Sequence, residues 1–315
     1  MKHVFVVNPH AGKRDATDFI RLQISRLPSD VDTEVYVTRG PGDATRFVSR
    51  RCADFPDGGV RFYACGGDGT INEVVSGLVP FPAAEMTCIP TGSGNDYLKY
   101  YGHLDCFSDL SRLVNGQPHW VDVMRVNDRY SLNVCNFGFD AIVCKTMIQV
   151  RRKPVVGGRN AYTTGIVKAL FTGRRTCCRI AVDGHEVHDG DMLLCTLGNG
   201  RYVGGAYKCS PRSLNDDGLI EVCLFRPLSI VSFARLLGSY RDGTFIDRPD
   251  VQPKMTYLRG GTVDISAPGP IDLCVDGEML RSSSFHVVQL PRAVRFVVPL
   301  EVFDSQSDTR PSSLC

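Results

Sequence analysis

A glycine-rich loop with an acid at its centre constrains this chain more than any other segment. Residues 66–73 read GGDGTINE; an apolar run at 60–65 before them predicts a buried strand, and a helical pattern continues from Val74. Three glycines within four residues let the backbone turn sharply and approach a ligand closely. The amides that open the following helix favour an anion. Because Asp68 would repel a bare phosphate, a divalent cation or a hydroxyl proton is also expected, and the loop predicts magnesium-assisted phosphate chemistry.

The same order of strand, loop and helix recurs on both sides of this loop. Apolar strands are predicted at 3–7, 33–37, 60–65 and 86–89, and amphipathic helices at 15–27 and 43–52. This alternation predicts a parallel, doubly wound sheet. Ligands of such sheets sit beyond the carboxyl ends of the strands. The polar, glycine-containing loops at those ends are 8–13, 66–73 and 91–96.

The pattern changes after about residue 120, where short apolar runs alternate with turn residues. The runs lie at 120–126, 130–136, 178–182, 192–197, 219–225, 262–266, 271–275, 284–290 and 294–298. They predict a mostly antiparallel β domain, interrupted by helices near 160–171 and 229–240. We therefore expect an α/β domain over 1–122, a β-rich domain over 123–300 whose last strand can return to the first domain, and a disordered polar tail over 301–315.

Composition excludes some classes of protein. The net charge of +2 gives no reason to expect nucleic acid as a partner. The 13 cysteines contain no CxxC pair, and most lie in apolar runs, which favours small buried side chains in a reducing compartment. The first apolar run is too short for a signal peptide, and no stretch has the length of a membrane span. We expect a cytoplasmic protein.

Each loop also has a purely structural interpretation. NPHAGK at 8–13 is by itself a common turn after a strand. The 66–73 loop could be a structural glycine turn, with Glu73 only complementing a helix dipole. TGSGND at 91–96 has the composition of a helix N-cap, although its hydroxyls and amides could equally hold the phosphates or ribose of a nucleotide.

Together these segments carry a resemblance to a known family. NPHAG at 8–12, GGDGTINEV at 66–74 and PTGSGND at 90–96 occur in an order and spacing that resembles the diacylglycerol kinase catalytic domain family of lipid kinases, which includes the sphingosine kinases and soluble bacterial lipid kinases. Later segments match as well, so that the resemblance covers about residues 2–300: 136–140, 157–162, 214–219 and 276–278. It implies an α/β domain like that of NAD kinase and phosphofructokinase, followed by a mostly antiparallel β-sandwich.

The resemblance implies ATP and Mg²⁺ as cofactors. Asp68 would act through the metal, with Asp96 and Asp122 in the same acidic network. The metal would neutralise charge on the transferring phosphate. The implied nucleotide-binding residues are Asn8, Pro9, His10, Ala11, Gly12, Thr38, Gly66, Gly67, Asp68, Gly69, Thr70, Ile71, Asn72, Thr91 and Ser93.

By the same resemblance, Glu278 would accept the proton of the lipid hydroxyl, and partial burial between the domains could raise its pKa toward the working pH. From the residues alone, Glu278 is more simply a surface acid after the turn Asp276-Gly277.

A second magnesium is implied at the acidic turn 214–219, with Asp217 and the carbonyls of Leu214 and Leu219 as ligands. Few protein ligands and several waters are normal for this ion. A solvated β-turn explains the same residues. HEVH at 185–188 has only a superficial metal-like spacing and is read as part of a hairpin.

A basic cluster suggests contact with a membrane. Apolar residues at helical spacing separate its members, which fits a surface resting on anionic lipid or a core-facing helix with a solvated basic side. The basic residues are Arg151, Arg152, Lys153, Arg159, Lys168, Arg174 and Arg175, and the apolar ones Tyr162, Ile166, Val167, Leu170 and Phe171.

The sequence thus predicts an ATP-dependent lipid kinase acting on a diacylglycerol-like or sphingoid hydroxyl. Its partners would be the lipid, the inner membrane face and a second copy in a homodimer. Tyr207 stands where the family commonly has a small residue, so the identity of the lipid stays open. The alternatives are an NAD kinase, which shares the GGDGT loop, and a nucleotide- or lipid-binding regulator without catalysis.

Overall fold

The computed structural model describes residues 1–102, 104–151 and 175–303, without the side chains of 147–151. The chain divides into two compact units. Of the described residues, 1–121 and 292–303 belong to the first unit, and those between 122 and 291 belong to the second.

The first unit is built on parallel strands, as the alternating pattern predicts. The strands are β1 (Lys2–Val7), β2 (Asp32–Val37), β3 (Val60–Gly66) and β4 (Glu85–Pro90), in the order β4-β3-β1-β2. The helices are α1 (Thr17–Ile24), α2 (Asp43–Cys52), α3 (Asp68–Leu78) and α4 (Leu110–Val114), with 3-10 helices at Tyr97–Tyr101 and Leu104–Ser108. Helix α1 is shorter at both ends than the predicted 15–27.

Burial explains why these strands read as continuous apolar runs. Every residue of β3 is buried, as expected for a central parallel strand covered on both faces. Helices α2 and α3 pack closely because Gly77 has no side chain. A Cβ at Gly77 would lie 2.8 Å from the Thr45 carbonyl oxygen and 2.9 Å from the Val48 Cβ.

The second unit is antiparallel. Its strands are β5 (Gln117–Val126, which begins in the first unit), β6 (Arg129–Ser131), β7 (Val134–Gly138), β8 (Thr176–Val182), β9 (His185–Met192), β10 (Leu194–Gly198), β11 (Ile220–Phe225), β12 (Met255–Gly260), β13 (Thr262–Val275) and β14 (Glu278–Val298). They pair in the order β12-β11-β10-β7-β13-β14, while β8 pairs with β13 and β9. Its described helices are α5 (Phe139–Arg151) and α6 (Ile230–Asp242), with 3-10 helices at Thr244–Asp247 and Gln252–Lys254.

Three features of this unit differ from the sequence prediction. The runs at 262–266 and 271–275 form one strand, β13, with a register shift between Ser266 and Ile271. The runs at 284–290 and 294–298 likewise form one strand, β14. Helix α5 was not predicted; it begins directly after Gly138, the last residue of β7, which has a φ of 77°.

Strand β14 belongs to both units. Its first part pairs with β13, and its last part pairs in parallel with β4, with Arg295 opposite Glu85 and Phe296 opposite Met86. The second part of this strand therefore completes the sheet of the first unit.

A buried ion-pair ladder crosses the strands of the first unit. Glu85 accepts from Arg61 through Oε2, with the Arg61 Nε at 2.9 Å, and pairs with Arg295 through Oε1 at 3.0 Å. Arg61 also donates to the carbonyls of Leu113 and Val114 at 2.8 and 2.9 Å, at the end of α4. Arg61 and Glu85 are only 5% and 4% exposed. Fully satisfied buried charges of this kind specify strand register, since a shift would leave a charge unpaired.

Most cysteines with apolar neighbours are buried, as predicted. Cys65, Cys135, Cys195 and Cys223 are fully buried, and burial raises the pKa of each thiol. Such thiols act as small apolar side chains.

Several predictions concern residues that the structure does not describe. The predicted helix at 160–171, the segment 157–162 and the basic cluster from 152 to 174 lie outside the described residues. Of that cluster, Arg175 is described and pairs with Asp191 at 3.2 Å. The tail from 304 also lies outside them, whereas 301–303 are helical rather than disordered. Within the described part of the chain, no helix has the length and apolarity needed to cross a membrane.

We predict that Glu85→Ala lowers the free energy of unfolding by about 3–5 kcal/mol, because it leaves two arginine side chains without their carboxylate. The matched control is Glu34→Ala, whose ion pair with Arg51 is partly exposed at 25% and 30% and should contribute at most about 1 kcal/mol. Urea denaturation of the two variants checks this. Equal losses in both would contradict the role of the ladder.

Candidate active site

Asn8 connects the loop after β1 to the glycine loop. Its amide N–H donates to the Cys65 carbonyl at 3.0 Å, which continues the pairing of β1 with β3. Its side-chain Oδ1 accepts from the His10 N–H at 3.0 Å, and its Nδ2 donates to the Thr70 hydroxyl at 3.0 Å. The side chain thus orders its own turn and fixes it against the start of α3.

The loops after β3 and β4 are joined backbone to backbone. The Gly66 carbonyl accepts from the amides of Thr91 and Gly92 at 3.0 and 3.1 Å. A Cβ at Gly92 would lie 2.3 Å from the Gly67 Cα, so only glycine fits at this crossing.

The loop after β1 makes an equally close approach. Gly12 has a φ of +77°, and a Cβ there would lie 2.2 Å from the Thr91 carbonyl oxygen. The structure therefore brings together the three loops that the sequence placed at one sheet edge.

Asp68 holds the loop after β4. It is the first residue of α3, and its Oδ1 accepts the amides of Asp96 at 2.6 Å and Tyr97 at 3.2 Å, at the start of the 3-10 helix 97–101. A Cβ on Gly94 would lie 2.8 Å from Asp68 Oδ2. The sequence assigned Asp68 to a metal, and the structure adds this capping role.

Asp96 is buried and forms an ion pair with Lys99 at 2.5 Å between Oδ1 and Nζ. The sequence analysis assigned no role to Lys99. Its spacing of three residues from an acid on a helical turn is the signal that could have found the pair.

The Glu73 carboxylate binds the start of α2 rather than the loops at the carboxyl ends of the strands. Its Oε1 accepts from the Gly42 amide at 2.8 Å and its Oε2 from the Ala44 amide at 3.1 Å, so it caps the N-terminus of α2. The sequence allowed Glu73 a dipole-complementing role in its own helix. The structure gives it that role in the neighbouring helix.

Two polar atoms of the 91–96 loop are buried without a hydrogen-bond partner, the Thr91 Oγ1 and the Asn95 Oδ1. A buried polar group without a partner costs about 1–3 kcal/mol, which a ligand or a bound water would recover. Asn95 also has a φ of +50°, a strained conformation that clusters at binding sites. Neither feature was predicted for Asn95.

The other predicted nucleotide residues divide by exposure. His10, Gly12, Gly69 and Ser93 are exposed, and Pro9, Ala11, Gly67 and Asn72 are partly exposed. Thr38, Thr70 and Ile71 are buried, and the Thr38 amide donates to the Val7 carbonyl at 2.9 Å beside β1. Ile71 is only 2% exposed and is a core side chain.

In the second unit, Asp276 anchors the hairpin that carries Glu278. Asp276 and Gly277 have φ values of 46° and 92° and form a two-residue turn, with Val275 opposite Glu278. The Asp276 carboxylate accepts from the Ser131 hydroxyl and from the amides of residues 132, 133 and 134 at 2.7–3.1 Å. The sequence treated Asp276 only as a turn residue.

Glu278 itself is exposed, so the expectation of partial burial is wrong. The β13–β14 hairpin projects it from the turn, as the simpler reading of the residues predicts. The proposed role of Glu278 as a base therefore depends on where the hairpin places it and not on burial.

Asp122 belongs to the second unit, whereas Asp68 and Asp96 belong to the first. It is fully buried, its amide donates to the Asn215 carbonyl, and its Oδ2 accepts the Gly218 amide, both at 2.7 Å. These contacts make it an anchor of the 214–219 turn. Its part in an acidic network with Asp68 stays a prediction.

The turn itself has a cation beside it. Asp217 Oδ1 accepts the Leu219 amide at 3.0 Å, and the Arg259 guanidinium lies 3.7 Å from its Oδ2. Burial raises the pKa of Asp217. Arg259 pairs more closely with Glu221, at 2.6 Å, and the second magnesium at this turn stays a prediction.

Across the described residues, no group of three or more His, Cys, Asp and Glu side chains could hold a metal. His185 and His188 lie in the β8–β9 hairpin, as predicted. At the loop edge, Asp68 and the phosphates of a nucleotide would suffice for Mg²⁺, which commonly takes one or two carboxylates and several waters.

Comparison with known proteins identifies the family. The model described as diacylglycerol kinase catalytic domain matches residues 2–126, and the model described as YegS C-terminal NAD kinase beta sandwich-like domain matches residues 133–298. The chain belongs to the diacylglycerol kinase catalytic domain family. The predicted membership in this family of lipid kinases is confirmed, and so is the predicted fold, an α/β domain followed by a β-sandwich.

A curated relative supports this membership, and solved structures share the fold. The chain is 30% identical over 299 residues to a probable lipid kinase YegS of Salmonella schwarzengrund, covering 91% of this chain and 94% of the relative. A putative diacylglycerol kinase from Bacillus anthracis has a similar fold, with a TM-score of 0.76 at 22% identity over 95% of this chain and 98% of that one. An NAD kinase from Archaeoglobus fulgidus in complex with ATP has a TM-score of 0.50 at 14% identity over 98% of each chain.

We predict that Gly92→Ala disrupts the loop edge of this kinase, because the new Cβ meets the backbone of Gly67. The free energy of unfolding should fall by more than about 1 kcal/mol. Gly69→Ala is the matched control, since nothing lies within 4 Å of its Cβ and alanine favours the helix. Thermal denaturation compares the stabilities of the two variants. A Gly92→Ala protein as stable as the control would contradict the close approach of the Gly67 and Gly92 backbones.

For Asp68, we predict that Ala and Asn have different effects. Asp68→Ala removes the acceptor of two amides and should destabilise by about 1–3 kcal/mol. Asp68→Asn keeps an acceptor oxygen and should stay within about 1 kcal/mol of wild type. Urea denaturation measures both, and identical stabilities would argue against the capping role.

Proposed function

We propose that this lipid kinase transfers the γ-phosphate of ATP to a hydroxyl of a diacylglycerol-like or sphingoid lipid. Membership in the family supports the kinase chemistry. The observation that carries the ATP assignment is that three loops meet at the start of α3, with the buried, unpartnered Thr91 Oγ1 and Asn95 Oδ1 among them.

The first unit would bind the nucleotide through its backbone. Parallel strands β1, β3 and β4 end at one edge, where the loops 8–12, 66–70 and 91–96 present amides and hydroxyls. The N-terminus of α3 adds its partial positive charge for the phosphates. By this proposal the first unit, residues 1–121 with the strand that returns from 292, binds ATP, and the second unit, residues 122–291, binds the lipid.

Asp68 would hold Mg²⁺ together with the phosphates. When bound, the metal neutralises charge that develops on the phosphate oxygens. The amides at Asp68 Oδ1 keep its carboxylate in place, so the side chain does not have to be ordered when the nucleotide binds.

Glu278 would accept the proton of the lipid hydroxyl. It stands next to a turn that Asp276 fixes through four donors, which gives an exposed side chain a defined backbone position. A positioned carboxylate base contributes about 10²–10⁴ in rate. A lipid acceptor also favours action in the cytoplasm at the inner membrane face.

We predict that Glu278→Gln lowers kcat by about 10²–10⁴ and leaves the free energy of unfolding within about 0.5 kcal/mol of wild type, since the side chain is exposed. The matched control is Glu186→Gln, an exposed acid of the β8–β9 hairpin, which should keep full turnover. Unchanged turnover of Glu278→Gln would remove Glu278 as the base.

The decisive experiment incubates the protein with ATP, magnesium and a total lipid extract. Mass spectrometry then identifies which lipid gains phosphate, and NAD is offered in a parallel reaction. A phosphorylated lipid supports the proposal. Phosphorylated NAD without a phosphorylated lipid, or no product from either, would overturn it.

A further inference from the structure

Two thiols meet where helix α5 packs on strand β13. The Cys274 Sγ donates to the Cys144 Sγ at 2.9 Å. Cys274 is 2% exposed, whereas Cys144 is partly exposed. A disulfide bond is about 2.05 Å long, so the two sulfur atoms would have to approach by less than about 1 Å to form one.

A second contact holds the same helix turn to the same strand face. Lys145 Nζ pairs with Asp272 at 2.6 Å, and Asp272 and Cys274, two residues apart, point to one face of β13. Adjacent residues of α5 thus contact alternate residues of β13, which keeps the thiols opposed.

We propose that Cys144 and Cys274 are an oxidation site. Hydroperoxides oxidise the two thiols to a reversible disulfide that joins them. The Cys144 thiolate attacks the peroxide oxygen, the O–O bond breaks, and water or an alcohol leaves as Cys144 becomes a sulfenic acid. The Cys274 sulfur then attacks the Cys144 sulfur and displaces the hydroxyl group as water. In total, two thiols and one hydroperoxide give a disulfide, one water and one alcohol, or two waters from hydrogen peroxide.

The surroundings of the two cysteines indicate which thiol attacks the peroxide and which then closes the disulfide. The hydrogen bond to Cys144, and burial after it, raise the pKa of Cys274 well above that of an ordinary thiol, so Cys274 keeps its proton. That proton points at the Cys144 sulfur. Cys144 is also the more accessible of the two, as the first sulfur to meet an oxidant must be.

The bond would connect α5 to the hairpin of Glu278. Cys274 pairs with Met279 and lies two residues before Asp276, and the Cys144 Sγ is 3.9 Å from the Gly277 carbonyl oxygen. A shift of about 1 Å in a reacting group can lower a rate about 10²-fold. This consequence rests on the proposed role of Glu278, whereas the disulfide does not.

The test treats the reduced protein with hydrogen peroxide and maps its peptides by mass spectrometry without reduction. We expect a peptide pair that links Cys144 to Cys274, and dithiothreitol should remove it. Cys144→Ser and Cys274→Ala should each lack the pair. Cys177→Ser, which changes an exposed thiol on β8, should keep it. Absence of the pair from wild type, or its loss in Cys177→Ser, would overturn the proposal.

Turnover is measured on the same samples. We expect a loss of at least about 10-fold on oxidation, restored by dithiothreitol and absent from Cys144→Ser. Full turnover of the cross-linked protein would keep the oxidation site and refute its effect on Glu278. A reduced wild type that forms the disulfide but phosphorylates no lipid would contradict the proposed function alone.

Discussion

The approach of two glycine backbones is the constraint on which the candidate site depends. At the crossing of the loops after β3 and β4, the Gly66 carbonyl binds two amides of the other loop, and Gly67 and Gly92 leave no space for a side chain between them. This crossing sets where Asp68 can reach the amides of 96 and 97, and it turns Thr91 and Asn95 inward.

The ion-pair ladder of Arg61, Glu85 and Arg295 aligns the strands that carry these loops. Glu85 lies at the start of β4 and Arg61 near the start of β3, the ends opposite to the loops. Buried charges tolerate few arrangements, because an unpaired one is costly. They therefore fix the register that brings Gly66 opposite Pro90 and so places the two loops side by side. The same strands thus carry the ion pairs that fix their register at one end and the loops of the candidate site at the other.

The sequence predicts what depends on local pattern. Apolar runs locate β1 to β4, the helix at 43–52 is predicted with its observed bounds, and glycine spacing locates the loops. Residues 267–270, APGP, read as a turn, yet β13 continues through them with a register shift, because pairing with β14 resumes beyond.

Partners that lie far apart in the chain could not be predicted in this way. Glu73 meets amides 31 and 29 residues before it, and Asp122 meets an amide 96 residues after it. Nothing in the spacing of either acid indicates its partner. The exposure of Glu278 is also set by how the hairpin projects rather than by its neighbours in sequence.

The path of β14 has a consequence for biosynthesis. The first unit lacks its strand beside β4 until residues 292–298 have left the ribosome, and Glu85 lacks one of its two arginines until then. A nascent chain of 121 residues therefore holds a sheet with an open edge and an incompletely neutralised buried carboxylate, a state that chaperones bind and proteases cut. Although its ligand loops are encoded first, this unit can mature only after the other has been translated.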